Sequence, residues 1–334
     1  MSWSTIPIVP LGFATALSLH GLRSRSLSPS GAAAAFTVGF LTLAAPVRAI
    51  GISLIVFYLL GSRATKYGKK RKATLEDGYQ AAGYRTAWQV LCNSFTAFLA
   101  AAAWGILYAP NVLPWSIIRQ FVSVPEATRY DSDSWCPLSP DVTNGLSRAL
   151  LFSTLGYVLQ SFSERSDSAD MIDHDLRHFA CCLGDTLASE LGILSNSPPI
   201  LITTLKTVPH GTNGGISLGG TIASMAGGLS MGFVLFASLV LENSKCRQVW
   251  GDILVPLVLW GTMAGGMGSM LDSFLGATLQ KSRYSVTSKR VLQDDSALCG
   301  EDDIKDISGL NLLTNNQVNL ISSTLTALVV ARLA

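Results

Sequence analysis

Long apolar runs, not alternating stretches, organise this chain. They lie at about 5 to 20, 31 to 47, 48 to 62, 87 to 108, 144 to 162, 213 to 241, 250 to 271 and 316 to 333, and a tilted helix needs about 20 such residues to cross a bilayer. Residues 31–62 are too many for one helix, and Pro46-Val47-Arg48 marks the turn of a hairpin with two short arms. A further run, 177 to 194, is shorter and more polar, as in a re-entrant or half helix. The pattern predicts an all-α, polytopic integral membrane helical bundle of about eight or nine membrane segments, folded as a single transmembrane domain over 1–334.

Composition agrees. Hydrophobic residues make up 49% of the chain and charged residues 14%, with mean hydropathy +0.38, against roughly 25% charged residues in soluble domains. A net charge of +2 says little about partners and gives no sign of nucleic-acid binding. The placement of the basic residues says more. Arg23 and Arg25 precede the hairpin, and Arg63, Lys66, Lys69, Lys70, Arg71 and Lys72 follow it. Both clusters then lie on one side, the cytosol by the positive-inside tendency. This makes 63–86 a basic cytosolic loop, 109–143 an external loop without periodicity, 163–212 a cytosolic motif segment and 281–313 a cytosolic loop. The basic loop also suits anionic lipid headgroups. The first apolar run has no basic residue before it and carries Pro7 and Pro10, which favours an uncleaved helix over a signal sequence.

The six cysteines form no CxxC pair and read as ordinary apolar or surface thiols. His174 and His178 stand four apart beside Asp173 and Asp175 but have no further clear ligand. Gly220, Ser224, Gly228 and Gly232 recur every four residues, as do Gly261, Gly265, Ser269 and Ser273. These are two small-residue faces suited to close helix packing. In the last run Asn315, Asn319, Ser322 and Thr326 share one face, which is either interior packing or a site wall.

The costly residues concentrate in one block. Gly184-Asp185-Thr186 runs to Glu190-Leu191-Gly192, then come Thr203-Thr204, Lys206 and Pro209-His210-Gly211-Thr212-Asn213-Gly214-Gly215. Carboxylates and a lysine among membrane segments point to function. They suit phosphoryl transfer, which needs metal-binding oxygens and donors for phosphate charge more than covalent catalysis. Asp185 is the first candidate Mg²⁺ ligand and Asp272 the best second carboxylate. On one helix Asp185 and Glu190 point about 140° apart, so both serve one site only if Asp185 begins the helix; otherwise Glu190 serves another helix. Lys206 can neutralise phosphate, and the Gly211–Gly215 loop either offers backbone N–H groups to an anion or makes only a tight turn. Arg63 and Lys66 are the basic-loop residues nearest such a site.

Gly61-Ser62-Arg63-Ala64-Thr65-Lys66, the Gly184 to Gly192 and Thr203 to Gly215 segments, Asp272-Ser273 to Gly276-Ala277-Thr278-Leu279-Gln280, and Asn315-Asn316 to Asn319 together resemble the transmembrane protein 19 family. That family includes the plant chloroplast phytyl-phosphate kinases. The central block alone is similar to CTP-dependent polyprenol and phytol kinases and to the cytidylyltransferases that act on phosphatidate. The resemblance implies Mg²⁺ and a nucleoside triphosphate, ATP or CTP, at the cytosolic face. It implies catalytic roles for Asp185, Lys206, Glu190 and Asp272, with Asp185 and Asp272 on the metal. Arg63, Lys66, Thr203, Thr204, Gly211, Thr212, Asn213, Gly214, Gly215, Ser273, Asn316 and Asn319 would bind substrate or phosphate. The expected function is a prenyl-phosphate kinase acting on an isoprenoid monophosphate such as phytyl or geranylgeranyl phosphate. A transporter of an anionic or isoprenoid substrate and a non-catalytic scaffold are the alternatives. The endoplasmic reticulum is the expected membrane, ahead of the chloroplast, because the opening lacks a long transit segment.

Overall fold

The computed structural model describes residues 7–75, 83–123, 127–139, 142–143, 146–147, 151, 178–292 and 303–331. The run at 144–162, most of the 163–212 segment before 178, His174, Cys299 and the side chain of His178 lie outside the described residues.

The chain is mostly helical. Helices α1 (Ile8–Arg23), α2 (Pro29–Leu43) and α3 (Arg48–Lys66) follow one another, with the expected hairpin turn between α2 and α3. Ser28 caps α2, accepting from the Gly31 amide at 2.9 Å, with Pro29 in the first turn where its missing N–H costs nothing. A short α4 (Lys69–Leu75) follows.

The run at 87–108, expected as one helix, divides into α5 (Ala87–Cys92) and α6 (Phe95–Tyr108). At the break Asn93 Nδ2 donates to the Gln89 carbonyl at 3.0 Å and Ser94 Oγ to the Val90 carbonyl at 2.8 Å. The Ser94 hydroxyl takes the Val90 carbonyl while the Ser94 amide turns to the Leu91 carbonyl at 3.1 Å; the Gln89 carbonyl still accepts the Asn93 amide at 3.3 Å. After α7 (Trp115–Ile118) come α8 (His178–Gly192), a two-stranded antiparallel pair β1 (Ile200–Leu201) and β2 (Gly215–Ile216), α9 (Leu218–Glu242), α10 (Ser244–Gln248) and α11 (Trp250–Leu279). Residues 281–313, expected as a loop in an all-α chain, instead hold the antiparallel strands β3 (Ser282–Ser285), β4 (Arg290–Leu292) and β5 (Ile304–Ser308), ordered β4-β3-β5. Helix α12 (Asn315–Ala331) ends the described chain.

Among the described residues three helices are long and apolar enough to cross a membrane: α3, α9 and α11. Residues Pro29–Leu43 and Ala97–Tyr108 form shorter apolar helices. The described part of α8, 15 residues, rises about 22 Å.

Glycine sets how α8, α9 and α11 meet. A β-carbon built on Gly184 would lie 2.6 Å from Gly265 Cα and 2.9 Å from the Ser224 carbonyl oxygen, and one on Gly261 would lie 2.6 Å from the Gly228 carbonyl oxygen. The small-residue faces of α9 and α11 thus pack backbone against backbone and admit α8 at their crossing.

The opposite end of the bundle is closed by a disulfide between Cys136 and Cys246, 110 residues apart. The reading of all six cysteines as thiols is therefore corrected. Cys92, Cys181 and Cys182 are buried thiols. The 109–143 segment is also better packed than a free loop. Trp115 and Trp135 are buried, and Trp135 meets the Tyr108 and Tyr130 rings at 5.7 and 5.6 Å. Asn243 Nδ2 donates to the Trp135 carbonyl at 2.9 Å, while its Oδ1 accepts from the Cys246 amide at 2.8 Å. Replacing Cys136 with serine is expected to destabilise the protein by about 2 to 5 kcal/mol, measured as a lower thermal midpoint in detergent under non-reducing conditions. An equal fall on adding reductant to the wild type alone would attribute the effect to the bridge.

Candidate functional site

Asp185 sits in the middle of α8, one residue beyond the glycine that meets α9 and α11. That close approach brings the carboxylate beside α11. Ser269 of α11 hydrogen-bonds the Asp185 carboxylate, and Asp272, one turn further along, is close enough to act on it electrostatically. Helix α12 completes the cluster. Ser322 Oγ donates to Asp272 Oδ2 at 2.8 Å, and the Asn319 amide, with its nitrogen turned inward, donates to the same oxygen at 3.2 Å and to the Asn315 carbonyl at 3.1 Å. Asp272 Oδ1 accepts no hydrogen bond among the described residues. Two carboxylates on separate helices therefore share a setting of hydroxyl and amide donors.

This donor set fits a hard cation such as Mg²⁺, which takes oxygen ligands, often through one or two carboxylates, and completes its shell with water and phosphate oxygens. Among the described residues there is no cluster of three His, Cys, Asp or Glu side chains of the kind that encloses a metal by itself.

The Gly211–Gly215 loop lies against the same end of α11. A β-carbon on Gly214 would lie 2.5 Å from the Ser273 carbonyl oxygen, and one on Gly276 would lie 3.5 Å from Asn213 Cβ. The φ of +76° at Gly214 is a second reason for glycine there. Three of the loop's amides are used within the fold. The amides of Thr212, Asn213 and Gly215 already donate to the Pro209 carbonyl, Ser282 Oγ and the Thr212 carbonyl, at 3.3, 3.1 and 2.9 Å. The start of α9 is likewise capped by Ser217, whose Oγ accepts from the Gly220 amide at 3.1 Å.

Other expected residues stand apart from the carboxylate pair. Glu190 forms a 2.6 Å ion pair with Lys72 of α4, so it serves another helix and leaves Asp185. Asp185 does not begin its helix, which removes the geometry that would have let both act together. Thr203, Thr204 and Lys206 are exposed on the turn after β1, where the Leu201 amide donates to the Lys206 carbonyl at 2.8 Å. Arg63 and Lys66 are exposed near the end of α3. Asn316 is partly buried in the first turn of α12.

Arg85, which the sequence did not single out, is an inward cation besides the buried Lys72. It is partly buried and donates to Ser62 Oγ at 3.3 Å and Thr65 Oγ1 at 3.4 Å. Burial lowers its guanidinium from the ordinary arginine value, against which Glu190 acts as a raising charge. Nothing in Tyr84-Arg85-Thr86 distinguishes this arginine from a helix-flanking one. Ser322, by contrast, was visible in the polar stripe of the last run, and Ser269 in the small-residue face of α11.

Comparison with known proteins agrees with these motifs. The model of the family described as integral membrane protein DUF92 matches residues 12–327. Protein PGR of Arabidopsis thaliana is 31% identical over 316 residues, covering 93% of this chain and 90% of that protein. An uncharacterized membrane protein of Synechocystis, sll0875, is 27% identical over 79% of this chain and 76% of its own length. Protein VTE6, chloroplastic, of Arabidopsis thaliana is 25% identical over 76% of this chain and 56% of that protein. The name of VTE6 points to the chloroplast, and none of the three names supports the endoplasmic reticulum expected from the sequence. No solved structure matches. With the match running over almost all of its length, the chain belongs to the integral membrane protein DUF92 family, and the resemblance seen in its motifs holds.

Proposed function

We propose that this protein is an integral membrane prenyl-phosphate kinase, moving a phosphoryl group from ATP or CTP to an isoprenoid monophosphate such as phytyl or geranylgeranyl phosphate. The observation that carries this proposal is the Asp185–Asp272 pair, two carboxylates held among membrane helices by Ser269, Ser322 and Asn319. Such groups are costly there without a charge to meet. Similarity to VTE6 over 76% of the chain, and the motif resemblance to phytyl-phosphate kinases, support the same chemistry.

Asp185 and Asp272 would hold Mg²⁺, which when bound would neutralise charge on the nucleotide phosphates. The accepting atom would be a phosphate oxygen that is already anionic near neutral pH, so the site needs no general base to create it. Ser322 and Asn319 would fix the orientation of Asp272. The Gly211–Gly215 loop, docked on Ser273 and Gly276, would hold the end of α11 in place. Arg85 would add positive charge on the side of α8 next to Thr186. The ends of α3 and α11 would both face the cytosol, together with the basic residues 63–72.

The test is a purified-protein assay with geranylgeranyl or phytyl phosphate, ATP and CTP tested separately, with and without Mg²⁺. The expected result is Mg²⁺-dependent formation of the prenyl diphosphate with one nucleotide, reduced about a hundredfold or more in Asp185→Asn. A folded wild-type protein that converts neither prenyl phosphate with either nucleotide would overturn the proposal.

A further inference from the structure

A cavity of about 120 Å³ lies between α1, α2, α3, α5 and α8, on the Thr186 side of α8. Most of its wall is apolar, including Leu17, Leu43, Phe57 and Val90. Its polar residues include Arg85, Gln89 and Thr186, and Thr186 directly follows Asp185 in the chain.

Among the described residues Arg85 has no ion-pair partner. Its two hydrogen bonds go to neutral hydroxyls at 3.3 and 3.4 Å, and among the described residues no carboxylate oxygen lies within 4.0 Å of it. Glu190, the acidic group that acts on it electrostatically, is already paired with Lys72 at 2.6 Å. A guanidinium facing an apolar cavity offers a planar set of donors suited to a phosphate, while the walls suit a hydrocarbon chain.

We propose that this cavity binds the phosphate end of a single isoprenoid phosphate, with the isoprene unit next to the phosphate between α1, α2 and α3, the phosphate on Arg85 and the rest of the chain outside the cavity. The assignment rests on the phosphoryl-transfer proposal for the fate of the headgroup, because Thr186 and Gly61 connect Arg85 to the Asp185 helix. A β-carbon built on Gly61 would lie 3.6 Å from Thr186 Cγ2 and 4.0 Å from an Arg85 guanidinium nitrogen. It separates two parts of the site, an apolar cavity with Arg85 and a metal pair at Asp185 and Asp272.

The structure supplies a way to block the cavity without disturbing the fold. Gly39 lines it, and a β-carbon there would meet only Ala14 Cβ, at 3.9 Å. Binding of geranylgeranyl phosphate, geranylgeraniol and inorganic phosphate to the full chain in lipid nanodiscs is the test, with thermal midpoints confirming that each variant is folded. Arg85→Gln is expected to weaken geranylgeranyl phosphate about tenfold or more, as for a lost charge-assisted hydrogen bond, and to leave geranylgeraniol within about twofold. Gly39→Leu is expected to weaken both lipids about tenfold, while inorganic phosphate binds far more weakly than either. Geranylgeranyl phosphate binding unchanged in Gly39→Leu, or in a folded Arg85→Gln, would overturn the proposal. If Arg85→Gln does not fold, Gly39→Leu decides. Wild-type binding that both variants weaken, without turnover by any nucleotide, would keep the cavity and remove the kinase. Turnover that survives Gly39→Leu with unchanged KM would do the reverse.

Discussion

Gly265→Leu is expected to prevent the bundle from assembling, or to destabilise it by more than about 3 kcal/mol, beyond the usual 1 to 3 for overpacking. The added side chain would meet the Ser224 carbonyl oxygen and the Gly228 backbone, the latter at 2.9 Å from the β-carbon alone. Backbone cannot swing aside as a side chain does, so α9 and α11 would have to separate. Because Gly184 packs on Gly265, that separation would also release the helix carrying Asp185. Size-exclusion profile and thermal midpoint in detergent measure the effect. Gly251→Ala is the control, since a β-carbon there meets nothing within 4 Å. Equal behaviour of the two variants would show that close approach at Gly265 is not what holds the helices.

Glu190→Leu is expected to cost about 3 to 5 kcal/mol, the range for leaving one member of a buried ion pair alone. Lys72 is 1% exposed, against 23% for Glu190. Without Glu190 its ammonium keeps only the Ala64 and Thr65 carbonyls, at 2.8 and 3.3 Å, near the end of α3. Lys72→Met should cost less, because Glu190 can take up water where it stands. The double variant should recover part of the Glu190→Leu loss, since apolar replacement of both partners strands no charge. Denaturation midpoints of the three variants check the order. A Lys72→Met loss larger than that of Glu190→Leu would reverse the assignment of which charge is trapped.

The chain displays its helices openly because membrane segments are written as uninterrupted apolar runs, and the α2–α3 turn is visible at Pro46. The small-residue faces on α9 and α11 were equally legible, since a four-residue repeat of Gly and Ser has a direct packing meaning. Asp185, Asp272 and Asn319 stood out because each is costly in its setting. What escaped notice depends on direction more than on residue type. Arg63, Lys66 and Arg85 are alike in sequence, and only the packing of the 83–86 segment against Ser62 and Thr65 makes Arg85 the inward one. Glu190 and Lys72 stand 118 residues apart, and no local pattern joins them. The division of α5 from α6 is marked by the Ser94 hydroxyl taking the Val90 carbonyl, too small a change to disturb hydropathy. The β3-β4-β5 sheet is made of strands of three to five residues in a polar segment, where a loop was the simpler expectation.

The Cys136–Cys246 bridge also counts membrane crossings. Two cysteines can join only if both emerge on the same side, so the chain between them must cross the bilayer an even number of times. Helix α9 is long and apolar enough for one crossing, and the apolar run expected at 144–162 would be a second. A full crossing by α8 would make three and carry the cysteines to opposite faces. If both cross, parity makes α8 a helix that enters and leaves by one face.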